Sequence, residues 1–483
     1  MTMTERLDGD LPLRTAEEAV TEFPENGIVA TSGFGSVGYP KAVPHALAQD
    51  TETRSLTVIS GGSVGSEIDT ELVESGVITR RFPYLGTEVA REAANQGDVA
   101  FHDRHIAQVA DEVQFDHFGS IDVAIIEAVA VGESWLVPSP SLGQTPAYVE
   151  AAEKLVVEVN RTQPLALHAV HDVYRPSPPP DREPIPLRDP TERIGGNRVQ
   201  FAPEKLAAVV ETETRDSTYT FREPTDADIA IADNLGDFLA AEVERNPTMC
   251  DSVRLQFGVG SIGNALARTL SDVEIGNRDL VYFGEVIQDG LLDLLDTGRL
   301  EGASATALAL STEGQDRFID NIETYTEDIV LRPSDVSNSA ELIQRFGVVA
   351  VNSALEVDLY GHLNSTHVNG THVINGIGGS GDFNRNAMIT VAALPSIAGD
   401  GEISRVVPMV PHVDHTEHDV DVVITDQGIA DLRGRSPRER ATAIASTAHP
   451  EFRPALRSYL DRSKAAGGHI PHDLDTALTW PNE

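Results

Sequence analysis

An apolar strand running into a Gly-x-Gly-x-x-Gly turn and then a helix constrains this chain most, because it occurs near the start of each half. Gly27-Ile28-Val29-Ala30-Thr31 leads into Gly33-Phe34-Gly35-Ser36-Val37-Gly38, and Pro40 opens a helical pattern through Val43, Leu47 and Ala48. In the second half Arg254-Leu255-Gln256-Phe257 leads into the turn 258–263, with residues 264–270 as the helix. Glycines in such turns let backbone approach a ligand, with N–H groups exposed at the helix start. Leu56-Thr57-Val58-Ile59-Ser60 followed by Gly61-Gly62 repeats the design, as do residues 121–130. Strands alternating with helices and closed by glycine turns predict an α/β protein with mostly parallel sheets.

A chain of 483 residues exceeds one ordinary core, so two domains are expected. Residues 175–190 are proline-rich and read as a surface excursion within the first domain. After Pro224, Asp226 can cap a helix with apolar residues Ile229, Ala232, Leu235, Phe238, Leu239 and Val243 at helical spacing. The expected domains are therefore 1–223 and 224–483. They share a cadence but too little identity to count as a repeat.

Acidic residues number 76 against 36 basic ones, for a net charge of −40. The acids are spread through periodic segments, so we read them as adaptation to a salt-rich cytoplasm, which screens their repulsion. Nucleic acid is disfavoured as a partner, since phosphates need a basic face. The polar start of the chain and the lack of a long apolar run predict no signal peptide and no membrane span. Cys250 is the only cysteine, which excludes an internal disulfide and a cysteine-based metal site.

The clearest candidate for chemistry is Gly284-Glu285-Val286-Ile287-Gln288-Asp289-Gly290. Leu280, Val281, Tyr282 and Phe283 read as a buried strand, which puts the Glu285 carboxylate at its C-terminal end, where open α/β sheets bind ligands. The alternative is a solvated glutamate ending a strand. The two glycine turns match a dinucleotide fingerprint on paper, but neither has the acidic residue expected at the end of the second strand. The loop Gly376-Ile377-Gly378-Gly379-Ser380-Gly381-Asp382-Phe383 lies between apolar segments, so its amides can form a nest for an oxyanion or phosphate rather than a mobile surface loop. His412, His415 and His418 are spaced by threes, as in some metal sites. Pro411, Val413 and Thr416 argue against the regular helix that would align them, so no metal is expected.

Together these segments resemble the acetyl-CoA hydrolase/CoA-transferase family, most closely its succinyl-CoA:acetate CoA-transferase branch. The resemblance rests on Gly38-Tyr39-Pro40-Lys41-Ala42-Val43-Pro44, residues 284–290, residues 352–360 with Asn364-Ser365-Thr366-His367-Val368, residues 376–383, and residues 412–420 with 425–434. It implies two similar CoA-transferase-like domains facing one another across an active-site cleft that closes against water, the second carrying the catalytic glutamate. It also implies that Glu285 becomes a glutamyl-CoA thioester, with the amides of Gly379 and Val259 as oxyanion donors and Asn338 near the thiol end of CoA. CoA contacts are implied at Gly258, Val259, Gly260, Ser261, Ile262, Asn338, Asn375, Gly378 and Gly379. The family's usual glutamate in the segment Thr425-Asp426-Gln427-Gly428 is Asp426 here, one methylene shorter, which bears on acid specificity more than on the chemistry.

The implied activity is transfer of CoA between a short acyl-CoA (succinyl-CoA or acetyl-CoA) and an acid such as acetate. Coenzyme A would be substrate and covalent intermediate, with no permanently bound cofactor. A hydrolase using the same glutamate is the alternative; a nicotinamide oxidoreductase and a non-catalytic nucleotide-binding protein are weaker ones. A cytoplasmic homodimer is expected.

Overall fold

The computed structural model describes residues 5–217, 222–258 and 260–480; Val259 lies outside the described residues. The chain forms two compact units. The first comprises Met1–Thr220, Tyr282–Leu295 and Glu301–Leu342, and the second Phe221–Val281, Asp296–Leu300 and Ile343–Glu483. This division does not follow chain order. The segment with Glu285, expected within 224–483, packs in the first unit because its backbone bonds to that unit's loops.

In the first unit parallel strands are ordered Leu206–Thr212, Lys154–Asn160, Val123–Gly132, Asn26–Thr31, Ser55–Ser60, Ile78–Phe82 and Ala100–Phe101. Val123–Gly132 is buried along its whole length, as a strand covered on both faces of a parallel sheet must be. Each valine or isoleucine buried there stabilises the unit by roughly 1.5–3 kcal/mol. At the end of Asn26–Thr31 the chain turns at Gly33, whose φ of +123° and lack of a Cβ let it pass Tyr39, since a Cβ would come within 2.7 Å of the Tyr39 Cβ.

The helix Ala42–Gln49 that follows has no side-chain cap of its own. The carboxylate of Glu158, on a neighbouring strand, accepts the N–H groups of Lys41 at 2.7 Å, Ala42 at 3.0 Å and Val43 at 3.1 Å. The fourth position of the helix start is Pro44, which has no N–H, so these bonds satisfy every free donor there. Burial pushes the Glu158 carboxyl up, and those amides restrain the rise.

In the second unit Ser252–Phe257, Val349–Ser353, Ile389–Ala393 and Val422–Thr425 lie side by side and parallel, and Gly428–Asp431 closes the edge antiparallel. Parallel neighbours need crossovers, and Asp226–Arg245, Ser261–Asp272 and Ser380–Asn386 are among the helices of this unit. The cap of Asp226–Arg245 is Thr225 and not Asp226, because Thr225 and Asp228 form a reciprocal capping box. Ala232, Leu235, Phe238, Leu239 and Val243 face the core as expected, whereas Ile229 is exposed. Residues 175–190 contain no helix or strand. No helix among the described residues is long and apolar enough to cross a membrane.

Candidate active site

Glu285 follows the strand Asp279–Phe283 directly after Gly284. Glycine is needed there, since a Cβ would lie 2.5 Å from the Tyr282 hydroxyl, which donates to the carbonyl of Val286 at 3.0 Å. The Glu285 carbonyl accepts two amides, from Thr306 at 2.9 Å and Ala307 at 3.1 Å, and the Gly284 N–H donates to Ser304 at 2.9 Å. The backbone is thus fixed on both sides while the side chain is only partly covered. Asn338 Nδ2 donates to Glu285 Oε1 at 2.8 Å. Asn338 is itself fully buried and oriented by Ser337, whose hydroxyl donates to its Oδ1 at 2.8 Å.

Loops of the first unit converge on this pair. Leu142 N–H donates to the Thr306 carbonyl at 2.9 Å, Gly143 N–H to Thr306 Oγ1 at 3.0 Å, and Ser334 N–H to Gly143 at 2.9 Å. The first glycine turn also reaches the site: a Cβ on Gly35 would be 3.6 Å from Val286, the residue after Glu285. Behind these loops lies the buried guanidinium of Arg332. It pairs with Asp172 and donates to Ser304 Oγ at 2.9 Å and to the Pro190 carbonyl at 2.9 Å. Burial is the main cause lowering its pKa, to about 10, against the pull of Asp172.

The first glycine turn is anchored by a buried ionic cluster. Lys41 Nζ lies 2.5 Å from Glu127 and 2.7 Å from Asp216, and Asp216 Oδ1 also accepts the Gly38 N–H at 3.0 Å. Burial opposes the charge on Lys41, but Asp216 and Glu127 outweigh it and raise its pKa. Burial likewise raises the Glu127 carboxyl, against Lys41 and with Asp216 adding to the rise. The cluster was missed in the sequence. Its signal was Glu127 inside an otherwise apolar strand, since a buried carboxylate requires a partner. Nothing in the spacing identified Lys41 and Asp216 as its partners, or paired Asn338 with Glu285.

In the second unit Gly258, Gly260, Ser261 and Ile262 line a cavity of about 130 Å³ beside Ser353 and Ala393, at the ends of parallel strands. Gly260 has a φ of +139°. In the loop of residues 376–383, Gly378 has a φ of +55° and Gly379 of −90°, a sign change that turns successive amides to one side. Asn375 is exposed. Both oxygens of Asp426 are engaged locally: Oδ1 accepts the Ser396 N–H at 2.6 Å, and Oδ2 accepts from Ser396 Oγ at 3.1 Å and Gln427 Nε2 at 2.7 Å. A cavity of about 710 Å³ beside the helix Ala42–Gln49 contains none of the candidate residues.

The histidines do not converge. His412 Nε2 lies 3.1 Å from Asp414, His415 is buried against Ser380, and His418 is exposed beside Glu417. Among the described residues no group of three His, Cys, Asp or Glu side chains is placed to hold a metal ion.

Comparison with known proteins identifies the ancestry of this arrangement. Residues 11–211 match the acetyl-CoA hydrolase/transferase N-terminal domain and residues 314–460 its C-terminal domain. The chain is 44% identical to a succinyl-CoA:acetate CoA-transferase of Clostridium kluyveri, over 97% of this chain and 89% of that protein. It is 39% identical to an acetyl-CoA hydrolase of Candida glabrata, over 97% of this chain and 93% of that protein. Among solved structures, RipA from Yersinia pestis superposes with a TM-score of 0.72 at 22% identity, covering 93% of this chain and 97% of that one. These relatives lend no support to the nicotinamide alternative. With both of its halves matched and relatives spanning nearly its whole length, the chain belongs to the acetyl-CoA hydrolase/transferase family of enzymes.

Proposed function

We propose that this enzyme is a CoA-transferase that moves CoA between a short acyl-CoA, succinyl-CoA or acetyl-CoA, and a carboxylic acid such as acetate. The observation that carries the reading is Glu285: its backbone carbonyl is held by two amides and its carboxylate is oriented by Asn338 at 2.8 Å. A carboxylate so held is suited to covalent catalysis. Glu285 Oε2 attacks the acyl carbonyl carbon, the C–S bond breaks, and a mixed anhydride and CoA thiolate result. The thiolate then attacks the Glu285 carbonyl carbon, and the first acid leaves as a carboxylate. Glu285 is left as the CoA thioester. A second carboxylate attacks that thioester, and the same two steps in reverse yield the new acyl-CoA and free Glu285. No step changes an oxidation state.

The amides of Val259 and Gly379 serve as oxyanion donors in this scheme, each worth about 3 kcal/mol. CoA is held by Gly258, Val259, Gly260, Ser261, Ile262, Asn338, Asn375, Gly378 and Gly379. Asp426 acts by shaping the acid site, its bonds to Ser396 supporting that role. We also propose a homodimer and a salt-adapted cytoplasmic protein.

Hydrolysis is the second reading, favoured by the 39% identity to an acetyl-CoA hydrolase. Incubation with acetyl-CoA alone tests both. Intact mass should show one CoA added at Glu285, removable by acetate or succinate, and Glu285→Ala should abolish the adduct and turnover while still binding CoA. CoA release at one rate with and without acid would make the enzyme a hydrolase. An active Glu285→Ala variant would sink both readings.

A further inference from the structure

The segment carrying His412, His415 and His418 is tied to the glycine loop. Residues 363–366 form a platform in the second unit that grips two passing segments. His415 N–H donates to the Leu363 carbonyl at 3.2 Å, and Leu363 N–H returns a bond to His415 at 2.9 Å. Asp414 accepts the Ser365 N–H at 2.6 Å and the Thr366 hydroxyl at 2.9 Å. On the other side, Ile374 N–H donates to the Thr366 carbonyl at 2.9 Å, where the chain enters the glycine loop. The loop is thus anchored at its entry to the same platform that fixes the backbone of His415.

At the far side of the loop, the Ser380 hydroxyl lies 2.6 Å from the Ile377 carbonyl and 3.2 Å from His415 Nε2. A carbonyl oxygen only accepts, so the hydroxyl proton points to Ile377. His415 Nε2 must then carry a proton and donate to Ser380. This order of donors excludes a serine nucleophile activated by histidine, because the histidine has no lone pair facing the hydroxyl. What the chain of bonds does is brace Ile377 against Ser380, with Gly378 and Gly379 held between them. His415 is 1% exposed, so its bond to Ser380 is protected from competition with water.

We propose that His415 is a positioning residue for the reaction: through Ser380 it fixes the orientation of the Gly379 amide. This rests on the reading of Gly379 as an oxyanion donor. A donor misplaced by about 1 Å can lose on the order of 100-fold in rate, so a clamp of this kind acts on turnover and leaves acyl-CoA binding nearly unchanged.

The test is the single-turnover rate of CoA-adduct formation on Glu285, with acetyl-CoA, in His415→Leu, His415→Gln, Ser380→Ala and the double variant His415→Leu/Ser380→Ala. His415→Leu and Ser380→Ala should each slow adduct formation at least tenfold, with KM for acetyl-CoA changed less than threefold. The double variant should be no slower than the slower single variant. His415→Gln keeps an N–H donor and should stay within threefold of wild type. If His415→Leu fails to fold, Ser380→Ala and His415→Gln decide by the same criteria. Wild-type rates in both Ser380→Ala and His415→Leu, multiplied losses in the double variant, or a glutamine variant as slow as the leucine variant would overturn the clamp alone. Absence of any adduct in the wild type would overturn the covalent reading and the clamp with it.

Discussion

Replacing Asn338 by alanine tests the covalent scheme at its second bond. When the CoA thiolate adds to the Glu285 carbonyl carbon, the oxygen not used in the anhydride becomes an oxyanion. That atom is Oε1, already 2.8 Å from Asn338 Nδ2. The hydrogen bond strengthens as charge develops, and removing one such donor costs about 3 kcal/mol, or roughly 100-fold in rate. The first step behaves differently. There the carboxylate loses charge, so the bond to Asn338 stabilises the starting state more than the transition state and its loss does not slow the attack. Asn338→Ala should therefore let the anhydride form and then stall, giving water more time to cleave it. The ratio of hydrolysis to transfer should rise while total turnover falls roughly 100-fold. Truncation also strips the buried Ser337 hydroxyl of its acceptor, a loss of about 1–3 kcal/mol in stability. Rapid-quench mass measurement of the adduct, with acid release followed in parallel, separates the two steps. Turnover within threefold of wild type, with an unchanged partition to water, would show that Asn338 plays no part in stabilising the oxyanion.

Three further outcomes are expected. Because a net charge of −40 repels itself when unscreened, dialysis to low salt should cost structure or activity and molar salt should protect both; full activity in dilute buffer, unchanged by salt, would contradict a salt-adapted surface. His362 lies 2.9 Å from both Asp358 and Glu417, and the Asp358 bond, opposed by burial, raises its pKa. Its stabilising effect is thus complete below its unfolded value of about 6.5 and lost as pH rises through the higher folded value. The melting temperature should fall over that window in the wild type and less steeply in His362→Gln; identical slopes would remove His362 from the account. Arg332→Met removes the cation paired with the buried Asp172 and should destabilise the protein by about 3–5 kcal/mol in urea unfolding, with Arg332→Met/Asp172→Asn, which keeps an acceptor for the Ile194 and Gly195 N–H groups, recovering much of it. A loss under about 1 kcal/mol would mean that water already reaches the pair.

The features readable from the sequence were those set by neighbours along the chain. The strand Asp279–Phe283, its terminal Glu285 and the strand–glycine–helix turns follow from apolar runs and from glycines where φ is positive. The cap of the helix Asp226–Arg245 was misread by one residue, although Thr225 and Asp228 carry the capping-box spacing. What could not be read was pairing across long separations. Asn338 and Glu285 are 53 residues apart, and Lys41 and Glu127 are 86 apart; neither spacing carries a period. The helix Ala42–Gln49 borrows its cap from Glu158 on another strand, so its cap has no local signature. The histidines show the converse: a suggestive local interval lies on backbone whose direction is set by Leu363 and residues 364–366.

The interleaving of the two units along the chain has a consequence for protein engineering. Glu285 comes late in the chain, yet the partners that shape its surroundings include Leu142, Gly143 and Asp172 from the first half. Expressed alone, residues 224–483 would present Glu285 on unsupported loops, and residues 1–223 would expose the surface that those loops cover. Co-expressed as two polypeptides, the pieces carry matching halves of one hydrogen-bonded scaffold, so they should recombine as a fragment-complementation pair. A chimera that joins one homologue's first half to another's second half succeeds only where residues 140–143 and 304–307 were taken from compatible parents.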